Sequence, residues 1–332
     1  LHKEYRRQRQ MCIRDSYGSS SNSLSHTSIL SLHKDMQGNI WVGTYYGGVN
    51  VFNPDKNNHS FYCAEPLRED CLSFPVVGKM TEDSAGNVWI CTEGGGLNCY
   101  HGDTGVFSRY MYHKGDQGTL GSNNVKSIFY RKENNRLYAG THLGGLFVLD
   151  LKSNKGHTLH HVTGDPASLP HEIVNDIQEY KDGIAMLTQG GPVFFDPVTE
   201  KFSPLTDDPS VQKLISREYA FETFLIDSRH RMWLAVGGGG IVCVNLSSSK
   251  VTQYMADSEK DTLTVGRYKT VHIFEDNKGD IYFSTIGAGI FKYQEKQDTF
   301  KSYGTTNGVL PSNYCYYCLL YTSDAADDTP CV

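Results

Sequence analysis

The sequence predicts an all-β protein, a β-propeller of four-stranded blades with about six full blades and the start of a seventh. Three observations predict it. An aromatic slot recurs at a near-constant interval, a leucine landmark precedes each recurrence, and hydrophobicity alternates with a period of two inside every repeat. Trp41 closes Asp35-Met-Gln-Gly-Asn-Ile-Trp41, and Trp89 closes Asp83-Ser-Ala-Gly-Asn-Val-Trp89. The same slot falls at Tyr138, Ala185, Trp233 and Tyr282, giving steps of 48, 49, 47, 48 and 49 residues. The landmarks are Leu24, Leu72, Leu120, Leu169, Leu214, Leu263 and Leu310, most of them followed by Ser, Gly or Pro.

The first repeat shows how each element arises. Ser28–Leu32 reads as a strand, Asp35–Asn39 as a turn and Ile40–Thr44 as a second strand. Gly47-Gly48 closes a second hairpin into Val49–Phe52, and His59–Tyr62 supplies a fourth strand. Four short antiparallel strands in 45 to 50 residues is the propeller unit, whereas a helical solenoid needs helical spacing. In Asp-x-x-Gly-Asn the aspartate bonds its own backbone and the glycine supplies a positive φ. The aromatic slot gives the second strand a large side chain to pack against the neighbouring blade. Two residues later stands Gly43, Cys91, Gly140, Ala235 or Ser284, a small-residue slot expected where sheets converge.

Composition agrees. With 33 Gly, 21 Tyr and 15 Phe in 332 residues, the chain suits many short aromatic strands joined by tight turns. The net charge of −6, without a basic stripe, argues against nucleic-acid binding. No apolar run approaches the roughly 20 residues needed to span a bilayer. None of the nine cysteines forms a Cys-x-x-Cys pair matched by a second pair, so neither a zinc site nor any other cofactor is expected.

The two ends read differently. Arg6–Ser16, with Met11-Cys12-Ile13-Arg14-Asp15-Ser16, resembles a translated transposase adaptor. Cys318-Leu319-Leu320-Tyr321-Thr322 resembles its reverse complement read in another frame. Residues 1–16 and 318–332 are therefore expected to be non-native and poorly packed, leaving 17–317 as the propeller fragment. The basic run at Arg6–Arg9 then carries no meaning as a nucleic-acid arm.

The pattern from Leu24 to Val49, Leu-Ser followed by Asp-x-x-Gly-Asn-Ile-Trp-Val-Gly-Thr-x-x-Gly-Gly-Val, closely resembles the two-component regulator propeller repeat. It recurs over Leu72–Leu97 and Gly140–Leu146, and Asn307–Asn313 is similar to the blade-opening phrase. Blade four departs most, with Asp182-Gly183-Ile184-Ala185 and the hairpin Gln189–Pro192. Blade five has His230 at the turn glycine. The resemblance implies the periplasmic sensor region of a hybrid two-component histidine kinase. A second propeller and a β-sandwich would be partners within the parent chain, and an oligosaccharide would be the ligand; a homodimer is a further expectation. No kinase, receiver or DNA-binding motif stands in the fragment.

Several tempting sites reduce to structure. Gly237–Gly240 and Gly94–Gly96 align with the Gly47-Gly48 hairpin and lead into strands, whereas a phosphate loop opens a helix. Cys91 and Cys99 flank one hairpin and would face each other; a disulfide is open there, but buried reduced thiols are favoured. His160-His161, with His157 nearby, reads as a surface group without a carboxylate partner rather than a metal site.

What remains is the rim where the second-to-third-strand hairpins meet the inter-blade connections. It is expected to carry Tyr45, Tyr46, Glu93, His142 and Gln189. His26, Phe74, Asn123, His171 and Tyr268 fall near the starts of the inner strands. Rings beside amides and carboxylates suit sugars, whose C–H faces stack while their hydroxyls need hydrogen bonds. Tyr45, Tyr46, Glu93, His142, Gln189 and Tyr268 are the candidate ligand-binding residues. Two readings compete with the sensor: a glycan-active propeller hydrolase or lyase, and a protein-interaction scaffold. No acid–base pair at matched positions supports the enzyme.

Overall fold

A computed structural model describes residues 23–56, 58–65, 68–256, 265–305 and 313–315. Both adaptor-like ends, together with Leu263 and Leu310, lie outside the described residues. Six antiparallel sheets, each in the simple order of its four strands, form the six blades of a β-propeller fold. The chain divides into two compact units, one up to Thr158 and one from Leu159.

The first unit holds three blades. They are β1–β4 (Ile29–Lys34, Ile40–Thr44, Val49–Asn53, Asn58–Tyr62), β5–β8 (Val77–Glu82, Val88–Thr92, Leu97–Tyr100, Phe107–Tyr110) and β9–β12 (Val125–Arg131, Arg136–Thr141, Leu146–Asp150, Lys155–Leu159). The second unit holds β13–β16 (Val174–Tyr180, Gly183–Thr188, Gly191–Asp196, Lys201–Pro204), β17–β20 (Phe221–Ile226, Arg231–Val236, Ile241–Asn245, Val251–Tyr254) and β21–β24 (Thr270–Glu275, Ile281–Thr285, Gly289–Gln294, Thr299–Tyr303). Leu214, expected at a blade opening, instead lies in a helical insertion, where Pro209–Lys213 continues as a π-helical turn over Leu214–Glu218. Asp208 caps it by accepting from the Ser210 and Val211 amides.

The Asp turns do more than local bonding. Asp35 Oδ1 accepts from the amides of Gln37 and Asn39 as expected, while Oδ2 accepts from the indole of Trp41 at 2.8 Å. Asp83 does the same for Trp89 at 2.8 Å and Asp227 for Trp233 at 2.9 Å. One buried carboxylate thus closes the turn and satisfies the only polar atom of the core tryptophan. Gly38 and Gly86 take positive φ in these turns, and His230 takes the same conformation at φ 58°.

Four of the five aromatic slots are buried as expected: Trp41, Trp89, Tyr138 and Trp233. Tyr282 is half-buried and stacks on Phe274 of its own sheet. Within the first unit Trp41 meets Tyr100 of the next blade edge-on at 5.0 Å, and Trp89 joins Ile128, Leu137 and Ala139. Within the second, Trp233 meets Phe283 and Tyr293 at 5.5 and 4.9 Å. The small-residue slot lies where sheets approach. A Cβ at Gly43 would collide with Ser31 and Val77, and Cys91, Ala235 and Ser284 are fully buried.

A further link joins successive blades at the Asp-turn edge. The Met36 amide donates to Glu82 of the next blade at 2.7 Å, and the Ser228 amide to Glu275 at 2.8 Å. Both glutamates directly precede the next turn aspartate, so Glu-Asp is one inter-blade device. At the opposite edge Ser25 and Asn50 exchange two hydrogen bonds, as do Ser73 and Asn98. The serine of Leu-Ser is thereby fixed to the third strand of its own blade.

Candidate functional site

The rim is built by one repeated staple. Thr44, Thr92, Thr141, Thr188 and Thr285 are buried at the ends of second strands. Each Oγ1 donates across the hairpin to the carbonyl of Gly48, Gly96, Gly145, Gly191 or Gly289, at 2.7–2.9 Å. The residue that follows donates its amide to the blade's own inner strand: Tyr45 to Ser28, Glu93 to Val76, His142 to Asn124 and Gln189 to Ile173. Four of the residues expected on the rim are therefore structurally equivalent, one per blade, with side chains leaving the sheet at the same point.

In the first unit these positions join through a continuous run of contacts. The blade-one hairpin donates Gly48 N–H to Pro75, beside Phe74. The Phe74 ring covers Gly94, where an added Cβ would meet it at 3.3 Å. Gly94 and Gly96 donate to the Asn123 carbonyl at 3.0 and 2.8 Å, and Glu93 pairs with Asn124 as an isolated bridge. His142 N–H donates to the Asn124 carbonyl at 2.9 Å. Glu93, Asn124 and His142 thus meet, with Phe74 one residue from Glu93's turn. Tyr45 and Tyr46 stand at the start of the run, exposed by 41% and 61%, with rings edge-to-face at 4.5 Å. Tyr46 takes the left-handed conformation at φ 69°, which turns its ring outward at a backbone cost.

Asn124 was not singled out from the sequence, and it is the centre of the cluster. Asn123 is fully committed, its side chain accepting from Tyr112 N–H at 2.7 Å. Asn124 Oδ1 and His142 Nδ1, by contrast, are buried with no hydrogen-bond partner among the described residues. Two buried polar atoms left open on residues joined through their backbones are a costly arrangement unless something polar meets them. His26 and His171 play another part: their Nδ1 atoms accept the amides of Ser28 and Ile173, which fixes the starts of inner strands.

In the second unit Gln189 is exposed at its staple position, and Tyr268 is half-buried, tilted against Phe291 and lying over Gly287. Between Pro170, Pro192, Phe202, Thr206, Gln212 and Ser216 lies a cavity of about 150 Å³. Two of its polar groups are already used, Gln212 Nε2 donating to the Thr206 carbonyl at 2.6 Å and Ser216 Oγ to the Gln212 carbonyl at 2.7 Å.

Two sequence readings need correction. Cys91 pairs across the ladder with Leu97, and Cys99 with Trp89, so the two thiols do not oppose each other. Both are buried, and burial, with Asp83 adding to it, pushes the Cys99 thiol up to about 12. His160 does have a carboxylate partner, Glu172, at 3.1 Å, while His161 bonds the Leu169 carbonyl. No cluster of metal-ligating residues occurs among the described residues.

Comparison with known proteins bears on the first blade directly. Residues 23–46 match the family model of the two-component regulator propeller. A sequence search of the curated proteins finds no match to the chain. Among solved structures the chain is similar to the extracellular domain of a hybrid two-component system, BT3049, from B. thetaiotaomicron. It is 21% identical to that domain, with a TM-score of 0.69 over 89% of this chain and 37% of that one. A second such extracellular domain, BT4673 of the same organism, is 20% identical, with a TM-score of 0.65 over 84% of this chain and 37% of that one. Virginiamycin B lyase from Staphylococcus aureus is 12% identical, with a TM-score of 0.61 over 86% of each chain. The chain therefore spans little more than a third of the extracellular domains it resembles, and these likenesses show the fold. Among its described residues no helix is long and apolar enough to cross a membrane.

Proposed function

We propose that this chain is a ligand-sensing propeller from the periplasmic part of a hybrid two-component regulator, and that its first unit takes a soluble oligosaccharide on the rim. Signalling would pass to a kinase elsewhere in the parent protein, through a second propeller and a β-sandwich, with dimerisation a further element. The observation that carries the ligand reading is the open pair Asn124 Oδ1 and His142 Nδ1 beside Glu93. A hydroxyl both donates and accepts: with His142 in its Nδ1–H tautomer, a sugar hydroxyl can accept from Nδ1, and a hydroxyl can donate to Asn124 Oδ1. Glu93 takes a neighbouring hydroxyl, and the exposed Tyr45–Tyr46 pair offers ring faces to the C–H side of a sugar.

The test is calorimetry on the full ectodomain with a panel of oligosaccharides, comparing wild type with Tyr46→Ala, Glu93→Ala and Asn124→Ala. Removing a stacked ring should cost on the order of 1 kcal/mol, roughly fivefold in Kd, or more. Unchanged affinity in all three variants would remove the ligand from this rim. Cleavage of the panel by the wild-type protein at enzyme-like rates would overturn the sensor reading.

A further inference from the structure

Described residues on both arms of the connection from blade one to blade two are tied together. Ala64 and Leu72 pair in parallel as an isolated bridge, which places Cys63 and Cys71, the residues immediately before them, side by side in register. One guanidinium grips both arms: Arg109 Nε donates to the Cys71 carbonyl at 2.9 Å, and Nη2 to the carbonyls of Leu72 and Glu65 at 3.1 and 3.3 Å. Arg68 ties the same segment by pairing with Asp70 at 2.7 Å and Glu65 at 3.7 Å. Cys63 and Cys71 are both half-buried thiols, unlike the fully buried Cys91 and Cys99, and the Cys71 thiol donates to Asp70 Oδ1 at 3.7 Å, a contact it would give up on bonding to Cys63.

We propose that Cys63 and Cys71 form a disulfide that fastens the start of blade two. In-register neighbours on paired strands have Cα atoms about 5 Å apart, inside the range a disulfide bridges. Arg109 ties Glu65, two residues after Cys63, to Cys71 and Leu72 through their carbonyls, independently of the thiols. The chemistry is exchange with an oxidised glutathione-type disulfide. The two thiols lose two protons and two electrons, one Cys63–Cys71 bond forms, and the oxidant's S–S bond breaks to release two thiols. The bond would matter to the rim, because Leu72 leads directly into Ser73, bonded to the Gly95 carbonyl, and Phe74, which covers Gly94. An oxidising compartment is where such a bond persists, so its presence in the cell rests on the periplasmic reading, whereas its formation in vitro does not.

The experiment uses the full chain equilibrated with oxidised glutathione, then alkylated, digested and mapped by mass spectrometry. The expected result is a linked peptide pair containing Cys63 and Cys71, with Cys91, Cys99 and Cys243 alkylated only after unfolding. In parallel, the urea midpoint of wild type should rise on oxidation, while those of Cys63→Ser and Cys71→Ser should not move. Recovery of Cys63 and Cys71 as alkylated thiols, or linkage of either to another cysteine, overturns the proposal. So does a midpoint that shifts equally in the two serine variants. Failure of oligosaccharide binding leaves this measurement unaffected, so the two readings fail separately.

Discussion

Asp83 sits at 4% exposure, and its carboxylate accepts from Ala85 N at 2.9 Å, Asn87 N at 3.0 Å and the Trp89 indole at 2.8 Å. Hydrogen bonds to a charged group contribute about 1.5–3 kcal/mol each, and a buried donor left unsatisfied costs about 1–3 kcal/mol. Water can reach the two turn amides in an Asp83→Ala variant but not the indole, since Trp89 is 3% exposed. The single variant should therefore lose about 3–4 kcal/mol. At an m-value of about 3 kcal/mol/M this moves the urea midpoint down by about 1 M. Trp89→Phe removes the donor while keeping a ring in the slot. The double-mutant cycle between the two, followed by far-UV circular dichroism, should then give a coupling of about 1.5–3 kcal/mol. Additive losses, with a coupling below about 0.5 kcal/mol, would refute the idea that the turn carboxylate and the core indole act as one clamp.

Three more outcomes are expected. Thr92→Val keeps the shape of the staple but loses its bond to the Gly96 carbonyl, and should cost about 0.5–1.5 kcal/mol in denaturant titration, with Thr92→Ser retaining the bond. His33 is held below the ordinary imidazole range by burial, which outweighs the raising effect of Asp35. The unfolded chain therefore takes up its proton first, and this contribution to stability is lost as pH falls below about 6.5. His33→Leu should flatten that part of a pH–stability profile, and an unchanged slope would assign the acid sensitivity elsewhere. Tyr46→Gly removes an exposed ring from a left-handed position, so thermal melting should show equal or slightly higher stability, by about 0.5–1 kcal/mol, while oligosaccharide affinity falls.

What the sequence showed follows from how local the chemistry is. Asp35 and Gly38 form a turn within five residues, and their type and spacing suffice to place it. The 48-residue step then locates every blade, even blade four, where Ala185 replaces the aromatic. Leu214 misled because a spacing does not distinguish a strand approach from a short helix carrying the same leucine inward. The Asp–Trp clamp spans six residues in view, yet it emerges only once the strand register turns the indole back toward the carboxylate. Pairings such as Ser25–Asn50 or Met36–Glu82 join positions 25 and 46 residues apart. A single sequence gives no reason to couple them. The rim was legible as a set of equivalent slots. Asn124 was not, because only the structure separates it from Asn123, whose oxygens are already taken.

Asn313 reproduces the work of Asn123 at another junction. Its carbonyl accepts from Gly287 and Gly289 at 3.0 and 2.8 Å, its side chain accepts from Thr305 N at 2.8 Å, and Tyr314 bridges to Ile286 as Asn124 does to Glu93. The natural segment of this architecture is consequently offset from the sheet: it runs from one hairpin to the first residues of the following blade. Dissection experiments should respect that offset. A blade excised at the last residue of its fourth strand loses the acceptor for two hairpin amides, whereas one carrying a dozen more residues brings its own cap.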